Sequence, residues 1–137
     1  MHKVRLIGPQ TPRLKWLFRT VNYEIGRRNE HLVIEAFEIA KKVGEIPDWL
    51  YCWELHEPFS SFDHNGIDIT FMTDVNNIYV QVKSSEHFAD IFREECIRRR
   101  KRIVIVVIDI EEPLTDIFTK VLAGIGKERD TILALRA

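Results

Sequence analysis

The sequence predicts an α/β protein, a three-layer α/β/α sandwich around a mixed central sheet. Three features lead there. Residues 67–84 alternate apolar and polar side chains on either side of the turn-formers Asp74, Asn76 and Asn77, as a β-hairpin with one face against a core does. Ile103 to Ile108 is an unbroken β-branched run, which fits a strand covered on both faces. Apolar stripes of helical period lie before and after these segments, and helices on both sides of a buried strand give the three layers.

In chain order, Lys3 to Ile7 reads as a short strand stopped by Gly8, Pro9 and Pro12. Arg13 to Val21 reads as a short helix, with Leu14, Leu17, Phe18 and Val21 on one stripe. A long helix runs from Tyr23 or Ile25 to Val43, with Leu32, Val33, Ala36, Phe37, Ala40 and Val43 inward and Gly44 as its C-cap. Glu30 borders that stripe, whereas Glu35 and Glu38 fall on the polar side. Trp49 to Leu55 has strand composition, and Glu57 to Asn65 reads as loop; Asp63 and His64 lie in it just before the hairpin, within reach of its polar face or simply exposed, and are not counted among the site residues.

After the hairpin, Ser85 or Glu86 caps a helix carrying Phe88, Ile91, Phe92 and Cys96 on one face. The strand at 103–108 follows. Pro113 then opens a helix with Leu114, Ile117, Phe118, Val121, Leu122 and Ile125 at i, i+3, i+4, i+7 spacing, loosened at Gly124 and Gly126. Thr131 to Leu135 suits a strand or a helical extension equally. The order is helix, strand, strand, strand, helix, strand, helix.

Composition bounds what such a domain does. With 137 residues, 45% hydrophobic and 30% charged, the chain suits one domain with a real core: a basic extension at 1–23, a core at 24–110, and a C-terminal helix and tail at 111–137. No apolar run reaches a membrane span and no signal peptide is evident, so a soluble cytoplasmic protein is expected. Cys52 and Cys96 lack metal-site spacing and read as buried reduced thiols. A net charge of −1 argues against a generic polyanion binder. Its distribution is uneven, however: Lys3, Arg5, Arg13, Lys15, Arg19, Arg27 and Arg28 face only Glu24 before residue 29, and Arg98 to Arg102 form a second basic run. Such clusters neutralise phosphates, although a solvated face or a helix C-terminus accounts for them as well.

The hairpin concentrates the chemistry. Asp68, Thr70 and Met72 share one face with Tyr79, Gln81 and Lys83, while Ile67, Ile69 and Phe71 share the other with Ile78, Val80 and Val82. Closure on Val75 and Asn76 pairs Asp68 with Lys83 and Thr70 with Gln81; closure on Asn76 and Asn77 shifts partners by two and keeps the faces. Either way an acid, an amide and a lysine converge. A cross-strand ion pair on an exposed face is what these residues alone equally allow.

Asp68, twelve residues, then Gln81-Val82-Lys83 resembles the core motif of the PD-(D/E)XK nuclease superfamily, in its variant with glutamine for the second acid. Upstream, Gly26-Arg27-Arg28-Asn29-Glu30 resembles the Gly-x-x-x-Glu of Holliday-junction-resolvase-like and Mrr-type members. The resemblance covers roughly residues 24–110 and implies a restriction-endonuclease-like fold with an αβββαβ core. It implies a metal-dependent endonuclease acting on DNA, with Glu30, Asp68, Gln81 and Lys83 catalytic. Mg²⁺ or Mn²⁺ would be held by Asp68, Glu30, Gln81 and the Val82 carbonyl, and Lys83 would orient water or stabilise developing charge. Candidate phosphate contacts are Arg27, Arg28, Ser84, Ser85, Arg98, Arg99 and Arg100. Junction cleavage needs two facing sites, hence a homodimer, and Trp16, Leu17, Trp49 and Trp53 suit a dimer surface or the core alike. The alternative is a catalytically inactive nuclease-fold protein that binds DNA without cutting it.

Overall fold

The computed structural model describes the backbone of residues 12–137 and the side chains of 24–137 apart from residues 63 and 64. The proposed strand at 3–7, the N-terminal basic side chains up to Arg19, those of Trp16 and Leu17, and those of Asp63 and His64 lie outside this description. The elements are α1 Pro12–Lys42, β1 Leu50–Leu55, the single-turn α2 Ser61–His64, β2 Ile69–Thr73, β3 Asn77–Lys83, α3 Glu86–Arg99, β4 Ile103–Val107 and α4 Leu114–Arg136. One four-stranded sheet has the order β1-β2-β3-β4, antiparallel up to β3 and parallel between β3 and β4. A parallel pair needs a crossover, and α3 supplies it. The chain is thus mixed α/β with a mixed sheet.

The apolar face of the hairpin, Ile69, Phe71, Ile78, Val80 and Val82, is buried against Val33, Ala36 and Phe37 of α1 and Ile117, Val121 and Ile125 of α4. Phe37 is the hub, with ring centroids 4.9 Å from Phe71, 4.9 Å from Phe118 and 5.4 Å from Trp53. At Gly124 a Cβ would lie 3.0 Å from Val104, so this glycine lets α4 approach β4. α3 covers the other face.

Several expectations change. The two helices expected before residue 43 are one 31-residue helix, because Val21-Asn22-Tyr23 holds neither proline nor glycine to break it. That helix stops at Lys42, so Val43 is exposed, and Gly44 turns the chain at φ +77. The stretch 57–65 contains α2 and is not all loop. β4 is an edge strand, covered less evenly than its β-branched run suggests: only Val106 within it is buried. On α3 the inward residues are Ala89, Phe92 and Cys96, and Phe88 and Ile91 face out. The small Ala89, fully buried, sets how the helix is turned. Cys52 is exposed and only Cys96 is buried; both are free thiols. Residues 131–135 are helix, and Gly124 and Gly126 lie inside α4. Among the described residues no helix is long and apolar enough to cross a membrane.

Candidate active site

The hairpin pairs Ile69 with Val80, Thr70 with Tyr79, Phe71 with Ile78 and Met72 with Asn77. The pairing centres on Asp74 and Val75, with partners offset by two residues from closure on Val75 and Asn76 and by four from closure on Asn76 and Asn77, so neither expected closure occurs. The cause is Thr73, whose hydroxyl donates to the Asn76 carbonyl at 2.6 Å and accepts from the Val75 and Asn76 N–H groups at 3.3 Å, while its backbone N–H donates to the same carbonyl at 3.2 Å, so the turn closes around Asp74 and Val75. An even offset keeps every side chain on its expected face. Just before β2 the Asp68 N–H donates to the Val80 carbonyl at 2.9 Å, so Asp68 lies beside Val80 and Gln81 and not opposite Lys83. The Asp68 face is also not exposed: Asp68 and Thr70 are 6% and 4% accessible.

Before the start of β2 and at the end of β3 the sheet opens into a cavity of about 500 Å³, and Glu30, Asp68, Gln81, Val82 and Lys83 all line it. Asp68 Oδ2 accepts from the Val82 N–H at 2.8 Å, which fixes the carboxylate. With the Gln81 amide assigned so that each of its atoms meets a complementary partner, it bridges its neighbours, its nitrogen donating to Asp68 Oδ2 (3.3 Å) and to the Gly66 carbonyl and its oxygen accepting from Lys83 Nζ (3.1 Å). Lys83 Nζ also sits 4.8 Å from the Phe92 ring centroid, a cation–π contact. Gly66, at φ +78, lies so close under Phe92 that a Cβ there would stand 2.5 Å from Cζ; any side chain would displace that ring.

Alternate residues of a strand direct their N–H and C=O groups to opposite neighbours. The Lys83 carbonyl accepts from the Ile108 N–H on the β4 side, so the Val82 carbonyl points the other way, toward Asp68. The Val82 side chain is in the core, so this residue contributes backbone to the site.

Glu30 reaches the cavity from α1 because it borders the buried stripe; its side chain is 12% accessible, while Glu35 is exposed on the far side of the helix. Arg27, one turn earlier, donates to Glu30 Oε1 at 2.9 Å and to the His56 carbonyl at 3.2 Å. Its guanidinium is thus occupied in fixing Glu30, whereas Arg28 is exposed. Ser84 lines the cavity, but the Ser85 hydroxyl caps α3 by accepting from the Phe88 N–H at 3.3 Å. Arg98, Arg99 and Arg100 are exposed at the opposite end of α3, about 15 Å from Phe88 at 1.5 Å of rise per residue. They are not part of this cluster.

His56 is the residue that sequence reasoning missed. It is buried, with Nε2 2.6 Å from Thr70 Oγ1 and its ring stacked on Phe62 at 4.0 Å. Burial holds its pKa below the usual 6.5, against the opposing charge of Glu54. The His56 backbone N–H donates to the Asp68 carbonyl at 2.9 Å, so this residue buttresses the acid from behind. A histidine just past a strand carries no pattern that announces such a role.

The oxygen donors at the cavity suit a hard divalent cation better than a sulfur- or imidazole-seeking one. Among the described residues no three His, Cys, Asp or Glu side chains converge, so the carboxylates on offer there are Asp68 and Glu30. Assigned from its hydrogen-bond partners, the Gln81 amide turns its nitrogen, not its oxygen, toward Asp68. Comparison of the chain with protein-family models, curated proteins and solved structures finds no match.

Proposed function

We propose that this chain is a metal-dependent endonuclease with a restriction-endonuclease-like fold, hydrolysing DNA phosphodiester bonds with selectivity for substrate structure and working as a homodimer. One observation carries the reading. Glu30 from α1, Asp68 at the start of β2, and Gln81 and Lys83 from β3 meet at a single cavity although up to 53 positions separate them in the sequence. An ordinary exposed ion pair requires no such gathering, and no glutamate from another layer.

Asp68, Glu30 and the Val82 carbonyl would hold Mg²⁺ or Mn²⁺. Such an ion, when bound, offers positive charge to phosphate oxygens and makes water a better nucleophile near neutral pH. The residues do the rest. The Val82 N–H and the Gln81 amide fix the Asp68 carboxylate, and Arg27 fixes Glu30, so neither acid must reorganise when charge arrives. Lys83, held between the Gln81 oxygen and the Phe92 face, brings a full positive charge to the negative charge that develops on the phosphate.

The small number of carboxylates, with Gln81 in place of a third, favours a second reading, a nuclease-fold protein that binds DNA without cutting it. Purified protein incubated with linear duplex, flap and four-way-junction DNA in Mg²⁺, Mn²⁺ or EDTA separates the two. Cleavage that EDTA abolishes is expected. Binding with all three substrates left intact in either metal would establish the second reading, and mass in solution tests the dimer.

A further inference from the structure

We infer that the rim of this cavity is a stacking platform for an unpaired nucleobase, so the preferred substrate carries single-stranded nucleotides beside the phosphate that reaches Lys83. The inference rests on the proposed nuclease site. Phe59 and Phe88 both line the cavity that contains Asp68 and Lys83, yet they are 77% and 55% exposed. Rings of that size are usually buried. Phe59 is also held at φ +64, a conformation that a bulky residue seldom adopts.

The local chain shows why this position is unusual. Ser60 N–H donates to the Glu57 carbonyl at 3.3 Å, so Glu57-Pro58-Phe59-Ser60 is a tight turn with proline second and a positive φ third. Glycine ordinarily takes that third place, at no steric cost. Here a phenylalanine takes it and presents its ring at the mouth of the site. Phe88 lines the same cavity from a firmer base, the first turn of α3, where Ser85 caps its N–H. The helical pattern would have put Phe88 in the core, but α3 is turned to leave it at the rim.

An aromatic face accepts any base by stacking, provided that the base is out of a duplex. Paired bases hide their faces, so such a rim discriminates structure and not sequence. The cationic Lys83 deeper in the cavity then meets the backbone phosphate of the same stretch.

The test is binding in EDTA, where no strand is cut, by fluorescence anisotropy on a single-stranded oligonucleotide, a flap and a blunt duplex. A 2-aminopurine in the unpaired segment reports stacking. Wild type is expected to prefer the single strand and the flap and to quench 2-aminopurine. Phe59→Gly, which suits the backbone and so keeps the fold, should lose about tenfold in single-strand affinity and most of the quenching. Phe59→Trp should retain both, Phe88→Ala should lose less, and blunt-duplex binding should not change. Unaltered single-strand affinity in Phe59→Gly, equal losses on blunt duplex, or no single-strand binding by wild type at all, as for a rim that meets a protein, would overturn the inference. Failure of the nuclease reading looks different: quenching and preference persist while Mg²⁺ produces no cleavage.

Discussion

The two ends of the β2–β3 hairpin are built from similar residues and reach opposite outcomes. At the turn, Asp74 is gripped by both arms of Arg129 at 2.8 Å, Thr73 bonds its own loop, and the Asn76 side chain accepts from the Asn77 N–H at 2.9 Å. These polar groups close a loop. At the open end Asp68, Gln81 and Lys83 bridge one another around a cavity, with Glu30 arriving from another layer. Polar groups at a turn answer local geometry, whereas those at the open end are gathered from distant positions and left facing space a ligand can enter.

The sharpest way to break this contrast is Asp68→Asn. The amide oxygen can still accept from the Val82 N–H, so the fold should survive with a cost of about 1 kcal/mol, but the charge is gone. Metal-dependent cleavage should fall by about two orders of magnitude or more, since cation affinity at such sites follows ligand charge. Rates near wild type in a gel-based cleavage assay would remove Asp68 from the site.

Next in size is the pair Glu30→Gln and Glu35→Gln. Residues five apart on a helix are rotated by about 140°, so only one of the two can face the sheet. Glu30 does, with Arg27 on it, and Glu35 is exposed. Cleavage should drop about tenfold or more in the first variant and stay unchanged in the second, with thermal melts of both close to wild type. Equal activities would detach α1 from the chemistry.

This pair also shows how far the sequence reaches. The helical period of Leu32 to Ala40 is set by burial, so it told which glutamate turns inward, and the alternation of the hairpin told which side chains share a face. What periodicity cannot carry is the closure of a loop by one hydroxyl: Thr73 set the register, and Asp68 lies beside Val80 and Gln81 and not opposite Lys83 in consequence. Nor does it carry the turn of a helix on its support. Phe88 and Ala89 are adjacent in sequence, and the choice between them was made by how closely α3 packs. His56 and Phe59 lie in a stretch with no period at all.

A smaller effect is expected from Gln81→Glu. Oriented by its hydrogen-bond partners the amide links Asp68 to Lys83, and the opposite orientation puts oxygen at the acid. A carboxylate offers oxygen either way, so half-maximal cleavage should occur at a lower Mg²⁺ concentration, by about threefold to tenfold. The maximal rate should fall, because the new charge holds Lys83 more tightly. An unchanged metal titration would mean that Gln81 serves as a bridge alone.

The smallest effect belongs to the turn, where Asp74→Asn should lower the melting temperature slightly and leave cleavage untouched. The Arg129 hydrogen bonds hold the Asp74 carboxyl below its ordinary pKa of 3.8, and Asp74 in return raises that of Arg129. A carboxyl whose pKa is depressed on folding contributes stability that is present above the unfolded value and lost as pH falls through the folded one. The gap in melting temperature between wild type and Asp74→Asn should therefore be constant near neutral pH and close below pH 3.8 as the wild-type carboxyl takes up its proton. Salt should narrow it as well, because the pair is near the surface. A gap that persists in acid would assign the effect to loop packing instead of charge. Loss of cleavage in Asp74→Asn would show that the turn communicates with the cavity, and the two ends of the hairpin could no longer be treated as separate.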